Sequence, residues 1–358
     1  MLDSLADMEE VMKIIILVNF LLVFTLATSS QDIFDIAKNG TPEQVIEIVQ
    51  KGININSRDA SESTPLIYAA GSNTYKVVKI LLEAGAQISS RDFLGDTPLI
   101  AAVRKNPDSQ VIELLLLHGA KIDEKDHFGN SPIHIAANYR PLDINMTLIK
   151  YGAKFNTINT TTDVTPFLLS CSNPYIDVFK YYLNLTKDIN YTTFLGASAL
   201  SLAARRENIE IASTLLKAGA KIFTKKTRWG GNLVMEAAAG NNNPEMLRLV
   251  IQYGGDPNYL DDNGSNLLYI ACINENLQNA KLLISLGNKV NQRGKGGQTP
   301  LIIASQFNKH QDLIKFLLEK GADPRLEDSK YMTAYDYMKE NAALKGTDIY
   351  WELSSKRY

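Results

Sequence analysis

The phrase "STPLIYAA" at residues 63–70 returns as "DTPLIAAV" at 96–103, "NSPIHIAA" at 130–137 and "QTPLIIAS" at 298–305. Aligned on the proline, the slot reads Pro65, Pro98, Pro132, Pro166, Ala199, Val234, Leu267, Pro300 and Ala334, 33 to 35 residues apart. "DIFDIAKNG" at 32–40 fits one period earlier, with Ile33 in the slot. A period of this size specifies a stack of similar supersecondary units, because one such unit cannot bury its apolar face alone.

Each column has a local cause. Thr64, Thr97, Ser131, Thr165, Ser198, Asn266, Thr299 and Thr333 precede the slot, where a side-chain oxygen caps a helix and proline suits its first position. An apolar residue follows the slot (Leu66, Leu99, Ile133, Phe167, Leu200, Met235, Leu268, Leu301). Three residues later comes a small one (Ala69, Ala102, Ala136, Ser170, Ala203, Ala238, Ala271, Ala304), which lets helices approach closely. Apolar residues at helical spacing, such as Val111, Leu114 and Leu115, then predict a second helix. It stops at Gly52, Gly85, Gly119, Gly152, Gly219, Gly254, Gly287 or Gly321. Stretches such as "AQISSRDFLGD" at 86–96 alternate and turn, which predicts a short hairpin-like finger.

These residues, T-P-L-H-x-A-A, a second helix ending L-L-x-x-G-A and D-x-x-G at the finger tip, resemble the ankyrin repeat over about residues 32–340. The resemblance implies an all-α ankyrin-repeat solenoid of helix pairs with short β-hairpin-like fingers. The organisation read from it is a leader over 1–30, an N-terminal capping unit over 31–60, eight internal repeats over 61–328 and a C-terminal capping unit and tail over 329–358. In that cap, Tyr350, Trp351 and Leu353 are expected to pack on the last repeat. Asp163 replaces a finger glycine, "YYLNLTKDIN" at 181–190 has no helix-stopping glycine, and Leu233–Val234 stands where Thr-Pro is expected. A weak unit in a stack is a local opening point, so the centre around 155–195 is predicted to be soft, and the helix near 234 to lack its cap.

Chemistry needs converging groups, and the sequence offers few. His118, His127, His134 and His310 fall in different repeats and different places, so no metal site is expected. The resemblance makes His134 a structural residue that hydrogen-bonds between repeats. Cys171 and Cys272 are three repeats apart, too far for a disulfide, and neither has an evident base, so both read as buried thiols. "RGKGGQT" at 293–299 lacks the order of a phosphate loop, and "YLDDNGSN" at 259–266 places Tyr259 and Ile270 where a calcium loop needs ligands. No catalytic residue, metal or cofactor is assigned; an enzyme or metal protein on this frame is the disfavoured alternative. The formal charge is 37 − 39 = −2, and although "TKKTRW" at 224–229 is basic, acidic tips such as Asp261 and Asp262 interrupt the continuous stripe that nucleic acid needs.

What remains is recognition of a protein. In the ankyrin family this uses finger tips and the exposed ends of the first helices. Aromatic and aliphatic residues crowd the middle tips, with arginines close by: Phe93, Leu94, Phe128, Phe194, Leu195 and Trp229 at the tips, and Arg104, Lys105, Tyr139, Arg205 and Arg206 on the inner helices. This makeup suits an interface core. The competing reading folds the tip aromatics back onto their neighbours. The chain is expected to act as a monomer.

The stretch "MKIIILVNFLLVFTLATSSQ" at 12–31 precedes the array. Its apolar run, Ile14 to Ala27, has 14 residues, against about 20 for a spanning helix, and small residues follow it. With Lys13 as the basic start this predicts a cleaved signal peptide, a periplasmic or secreted bacterial protein, and no membrane span in the mature chain. The acidic leader "MLDSLADMEEV" is unlike a signal start, so translation is expected to begin at Met12. The partner would then be an envelope protein or, for an exported effector, a host protein. Sequons stand at Asn39, Asn145, Asn159, Asn184, Asn190 and Asn263.

Overall fold

The computed structural model describes residues 33–222, 232–240 and 243–356. Two compact units divide the chain, Met1–Leu185 and Thr186–Tyr358. Among the described residues each holds five helix pairs. The first unit has a helix over 33–39 with Pro42–Gln50, then Pro65–Ser72 with Tyr75–Glu83, Pro98–Lys105 with Ser109–Leu117, Pro132–Tyr139 with Leu142–Lys150, and Pro166–Ser170 with Ile176–Leu185. The second has Ala199–Arg205 with Ile209–Lys217, Leu233–Ala239 with Glu245–Gln252, Leu267–Ile273 with Leu277–Ser285, Pro300–Phe307 with Asp312–Glu319, and Ala334–Glu340 with Asp348–Ser355. Within each unit inner helices pack on inner helices, and outer on outer.

The repeat columns produce this packing directly. Thr97 Oγ1 accepts from Ile100 N at 3.3 Å and Pro98 occupies the first turn, so the inner helix starts there. Pro98, Leu99, Ile100, Ala101, Ala102 and Val103 are then buried on nearly every side, while the outer helix buries only the stripe Val111, Ile112, Leu114 and Leu115. Burying a Leu or Val side chain is worth about 1.5–3 kcal/mol, so these stripes drive the stacking. The outer helix ends where Gly119 adopts φ +91°, left-handed backbone in which any other side chain is strained.

Neighbouring pairs are also tied by an asparagine after the end of five inner helices, which the apolar pattern did not reveal. Asn73 Nδ2 donates to Ala37 O and Gly40 O at 3.0 Å each, and Asn106 Nδ2 donates to Ala70 O at 2.9 Å and Asn73 O at 2.8 Å. Asn173, and in the second unit Asn276 and Asn341, do the same. These amides satisfy carbonyls left open at the preceding helix end. Arg140 breaks the series. Its guanidinium reaches Asn106 O, while Asn145 from the outer helix turns in to Ala136 O and Pro141 O and accepts from the buried Tyr182 hydroxyl at 3.0 Å.

The hairpin-like fingers are closed by turns, with only isolated bridges among the described residues, Thr192 with Ser198 and Leu260 with Asn266. A side chain holds the loop in place of a ladder, as when Asp92 Oδ1 accepts from Leu94 N at 2.9 Å and Asp96 N at 2.8 Å. The helix near 234 does have a cap. Asn232 Oδ1 accepts from Met235 N at 3.0 Å, so Leu233 holds the slot, and Leu233, Val234, Ala237 and Ala238 are buried. In the C-terminal cap Leu353 is buried, but Trp351 is 62% exposed and meets Tyr350 edge-on instead of packing on the last repeat.

Asp163 keeps the finger turn with φ +59°, a conformation that costs a non-glycine residue about 1–2 kcal/mol. Its unit has the short inner helix Pro166–Ser170, with five residues.

Candidate binding surface

In the first unit, fingers and inner helices meet along a charged seam. Arg104 grips two fingers at once: Nε donates to Asp96 Oδ2 at 2.7 Å, and Nη2 to Asp96 Oδ1 and Asp126 Oδ2 at 2.9 Å each. Both carboxylates are buried. Burial works against the Arg104 charge, but the Asp96 pairing outweighs it and raises the pKa, so Arg104 stays charged. Tips are also joined by backbone. Phe93 N donates to Ser61 O at 3.0 Å and His127 N to Leu94 O at 2.9 Å, and the His127 ring donates from Nδ1 to Phe93 O at 3.1 Å. Gly95 is obligatory here, since a Cβ on it would lie 2.9 Å from His127 N.

This frame holds Phe93 and Phe128 on adjacent tips, 59% and 56% exposed, with Leu94 half-buried beside Phe93. Neither aromatic folds back into the stack. Lys105 is exposed and Tyr139 half-buried. Burial raises the Tyr139 pKa against the opposing pull of neighbouring Arg104. The six residues predicted for this unit therefore cluster, although Arg104 is engaged inside the protein and offers a partner only its exposed edge, 26% of the side chain.

Between the first two fingers and the inner helices lies a cleft of about 90 Å³, lined by Lys38, Tyr68, Gly71, Asp92, Ala101 and Lys105 among others. Sequence reasoning passed over Lys38, Tyr68 and these aspartates. The D-x-x-G motif carries the signal for the aspartates, but as a turn former rather than as a lining group. In the second unit Phe194 is 62% exposed, Leu195 half-buried, and Arg205 and Arg206 exposed. Burial raises the Glu236 carboxyl, and Arg205 partly offsets it. Trp229 and the basic run at 224–229 lie outside the described residues.

The groups considered for chemistry have structural work. His134 is fully buried; Ser131 N donates to its Nδ1 at 3.3 Å and Ser131 Oγ lies 2.8 Å away. The ring thus closes the N-terminus of its own helix and faces the backbone of Thr157 and Val164 in the next finger. Burial, with Lys125 nearby, lowers its pKa to about 4. His118 donates to Leu114 O at a helix end, and His310 lies 3.0 Å from Glu275. Cys171 and Cys272 are free and buried; burial pushes the Cys171 thiol up to about 12 and Cys272 up as well. Among the described residues no group of His, Cys, Asp and Glu could hold a metal ion, and no helix is long and apolar enough to cross a membrane. Asn145 and Asn159 are at most 1% exposed, so those sequons are closed in the fold.

Comparison with known proteins agrees with the geometry. A family model of ankyrin repeats in three copies matches residues 33–126, 91–159, 105–193, 133–226 and 234–328. An ankyrin repeat-containing protein of Treponema pallidum is 35% identical over 133 residues, 37% of this chain and 44% of that protein, so the match spans less than half the relative's length. The ankyrin repeat protein YahD of Escherichia coli is 30% identical over 179 residues, 49% of this chain and 88% of YahD. The crystal structure of the human ASB11 ankyrin repeat domain superposes with a TM-score of 0.55 at 23% identity, covering 63% of this chain and 98% of that one, a likeness of fold alone.

Proposed function

The chain belongs to the ankyrin-repeat family, and from that premise we propose that it is a non-enzymatic scaffold, monomeric, that grips a protein with its finger tips and the adjoining ends of its inner helices. Ankyrin repeats are protein-interaction modules, and the observation that carries the finer reading is the pair Phe93 and Phe128. Two large aromatics, each more than half exposed, stand on adjacent tips that backbone hydrogen bonds hold in place. Rigid aromatics lose little entropy on docking and dominate binding energy at interfaces. Lys105, Tyr139 and the exposed edge of Arg104 supply a polar rim in the same unit.

The place of action we propose is outside the cytoplasm, in the periplasm or secreted. The support is sequence alone: Lys13, the 14-residue apolar run and the small residues after it. Residues 1–32 lie outside the described residues. Mass spectrometry of the protein from fractionated cells checks this; a mature chain beginning near Gln31 is expected, and one retaining the apolar run contradicts it.

Replacing Phe93, Phe128, Phe194 and Trp229 together by Ala tests the surface. Partner capture should be lost with circular dichroism and melting unchanged. Loss of folding instead shows that the aromatics are packing groups.

A further inference from the structure

The aspartate that opens a finger turn uses its two oxygens differently. Oδ1 holds the turn, and at Asp59, Asp126 and Asp328 Oδ2 is capped from an inner helix. Tyr68 donates its hydroxyl to Asp59 Oδ2 at 2.6 Å, and in the second unit Tyr337 donates to Asp328 Oδ2 at 2.6 Å. Asp126 Oδ2 is taken by Arg104 at 2.9 Å and Asn130 at 3.2 Å. Asp92 lacks that cap, as does Asp261 in the second unit, whose Oδ1 accepts from Asn263 N and Ser265 N. The Oδ1 of Asp92 accepts from Leu94 N and Asp96 N, and its Oδ2 meets no donor among the described residues.

The cause is one residue. In both tyrosine cases the donor stands nine positions after the aspartate (68 − 59 and 337 − 328), and nine after Asp92 stands Ala101. The missing ring leaves room. Asp92 and Ala101 both line the cleft of about 90 Å³, with Tyr68, Gly71, Lys38 and Lys105 around it.

Building on the protein-binding reading above, we propose that this cleft receives a tyrosine side chain of the partner, whose hydroxyl donates to Asp92 as Tyr68 donates to Asp59. Charge selects the occupant. Lys38 and Lys105 line the cleft and oppose a cation, Asp92 opposes a carboxylate, and Arg104 already neutralises Asp96. A neutral donor satisfies both. Size limits the contact: a void of about 150 Å³ encloses benzene, so this smaller, open cleft of about 90 Å³ takes the hydroxyl end of one ring. Its place beside the Phe93 tip lets the ring and the tip aromatics bury together.

NMR titration of the full chain with N-acetyltyrosinamide, N-acetylphenylalaninamide and N-acetyllysinamide tests this. The tyrosine amide should shift Gly71, Ala101 and Lys105 signals and bind about fivefold tighter than the phenylalanine amide, the worth of one hydrogen bond. Asp92→Asn should remove that preference while keeping the turn, since Asn159 holds its own turn through Oδ1, accepting from Thr161 N at 2.8 Å and Thr162 N at 2.9 Å. Ala101→Tyr should supply the ring from within and block binding. Equal affinity for tyrosine and phenylalanine amides, selection of the lysine amide, no shift at Ala101 at tens of millimolar, or a preference that survives Asp92→Asn overturns the proposal. A protein captured through Phe93 and Phe128 yet indifferent to Asp92→Asn overturns the tyrosine cleft and leaves the tip reading standing. A tyrosine preference that persists while capture ignores the tips overturns the tip reading alone.

Discussion

Asn106→Ala probes the ties between repeats. Asn106 is 2% exposed, and its Nδ2 bonds two carbonyls of the preceding pair, Ala70 O and Asn73 O, while its Oδ1 accepts from Asp108 N at 3.0 Å. Alanine removes all three bonds and strands the two carbonyls. A net hydrogen bond is worth about 1 kcal/mol, and a buried group left unpaired costs about 1–3 kcal/mol. Water can reach the partly buried Asn73 side, so the sum is about 3 kcal/mol. With m near 2 kcal/mol/M for urea, the first unit's unfolding midpoint falls by about 1.5 M. Urea titration followed by circular dichroism reads this, with exposed Asn39→Ala as a control that stays within about 0.5 kcal/mol of the parent. An Asn106→Ala protein equally close to the parent would refute the view that the amide series couples neighbouring pairs.

Two more predictions concern titration and opening. His134 has its folded pKa lowered to about 4, below the 6.5 of a free imidazole. The unfolded chain therefore binds the proton more readily, and the contribution is intact above pH 6.5 and lost as pH falls towards 4. Between pH 7 and 4 the parent should lose about 3 kcal/mol more than His134→Gln, which keeps an acceptor at the capping position; parallel pH profiles in urea would contradict this. Hydrogen exchange over 155–195 should outpace that over 63–125, and Cys171 should be alkylated before Cys272. Equal protection in the two stretches argues against a soft centre.

The inner helices, their caps and the helix-ending glycines were legible because each depends on residues within a few positions of one another. The shift from Val234 to Leu233 arose because Asn232, a good cap, does not look like the Thr-Pro that fills the slot elsewhere. The asparagine ties were missed for a different reason: the residues recur with the repeat, but Asn73 and Asn106 bond carbonyls 33 to 36 residues back, and only the stacking shows those partners. Arg104 shows the limit for the site. Its composition suits an interface, yet the buried partners Asp96 and Asp126 that engage it are set by the stacking of fingers. The open oxygen of Asp92 became visible only when Ala101 was compared in space with Tyr68 and Tyr337.

The central claim is that the tips and the adjoining groove contact a protein. A photo-crosslinking amino acid placed singly at Phe93, at Phe128, and at Met146 on an outer helix, 48% exposed, tests it in the organism's own cells. Ultraviolet light should give one shared covalent adduct from positions 93 and 128 and none from 146. Adducts from 146 alone, or the same adduct from all three positions, would contradict the claim.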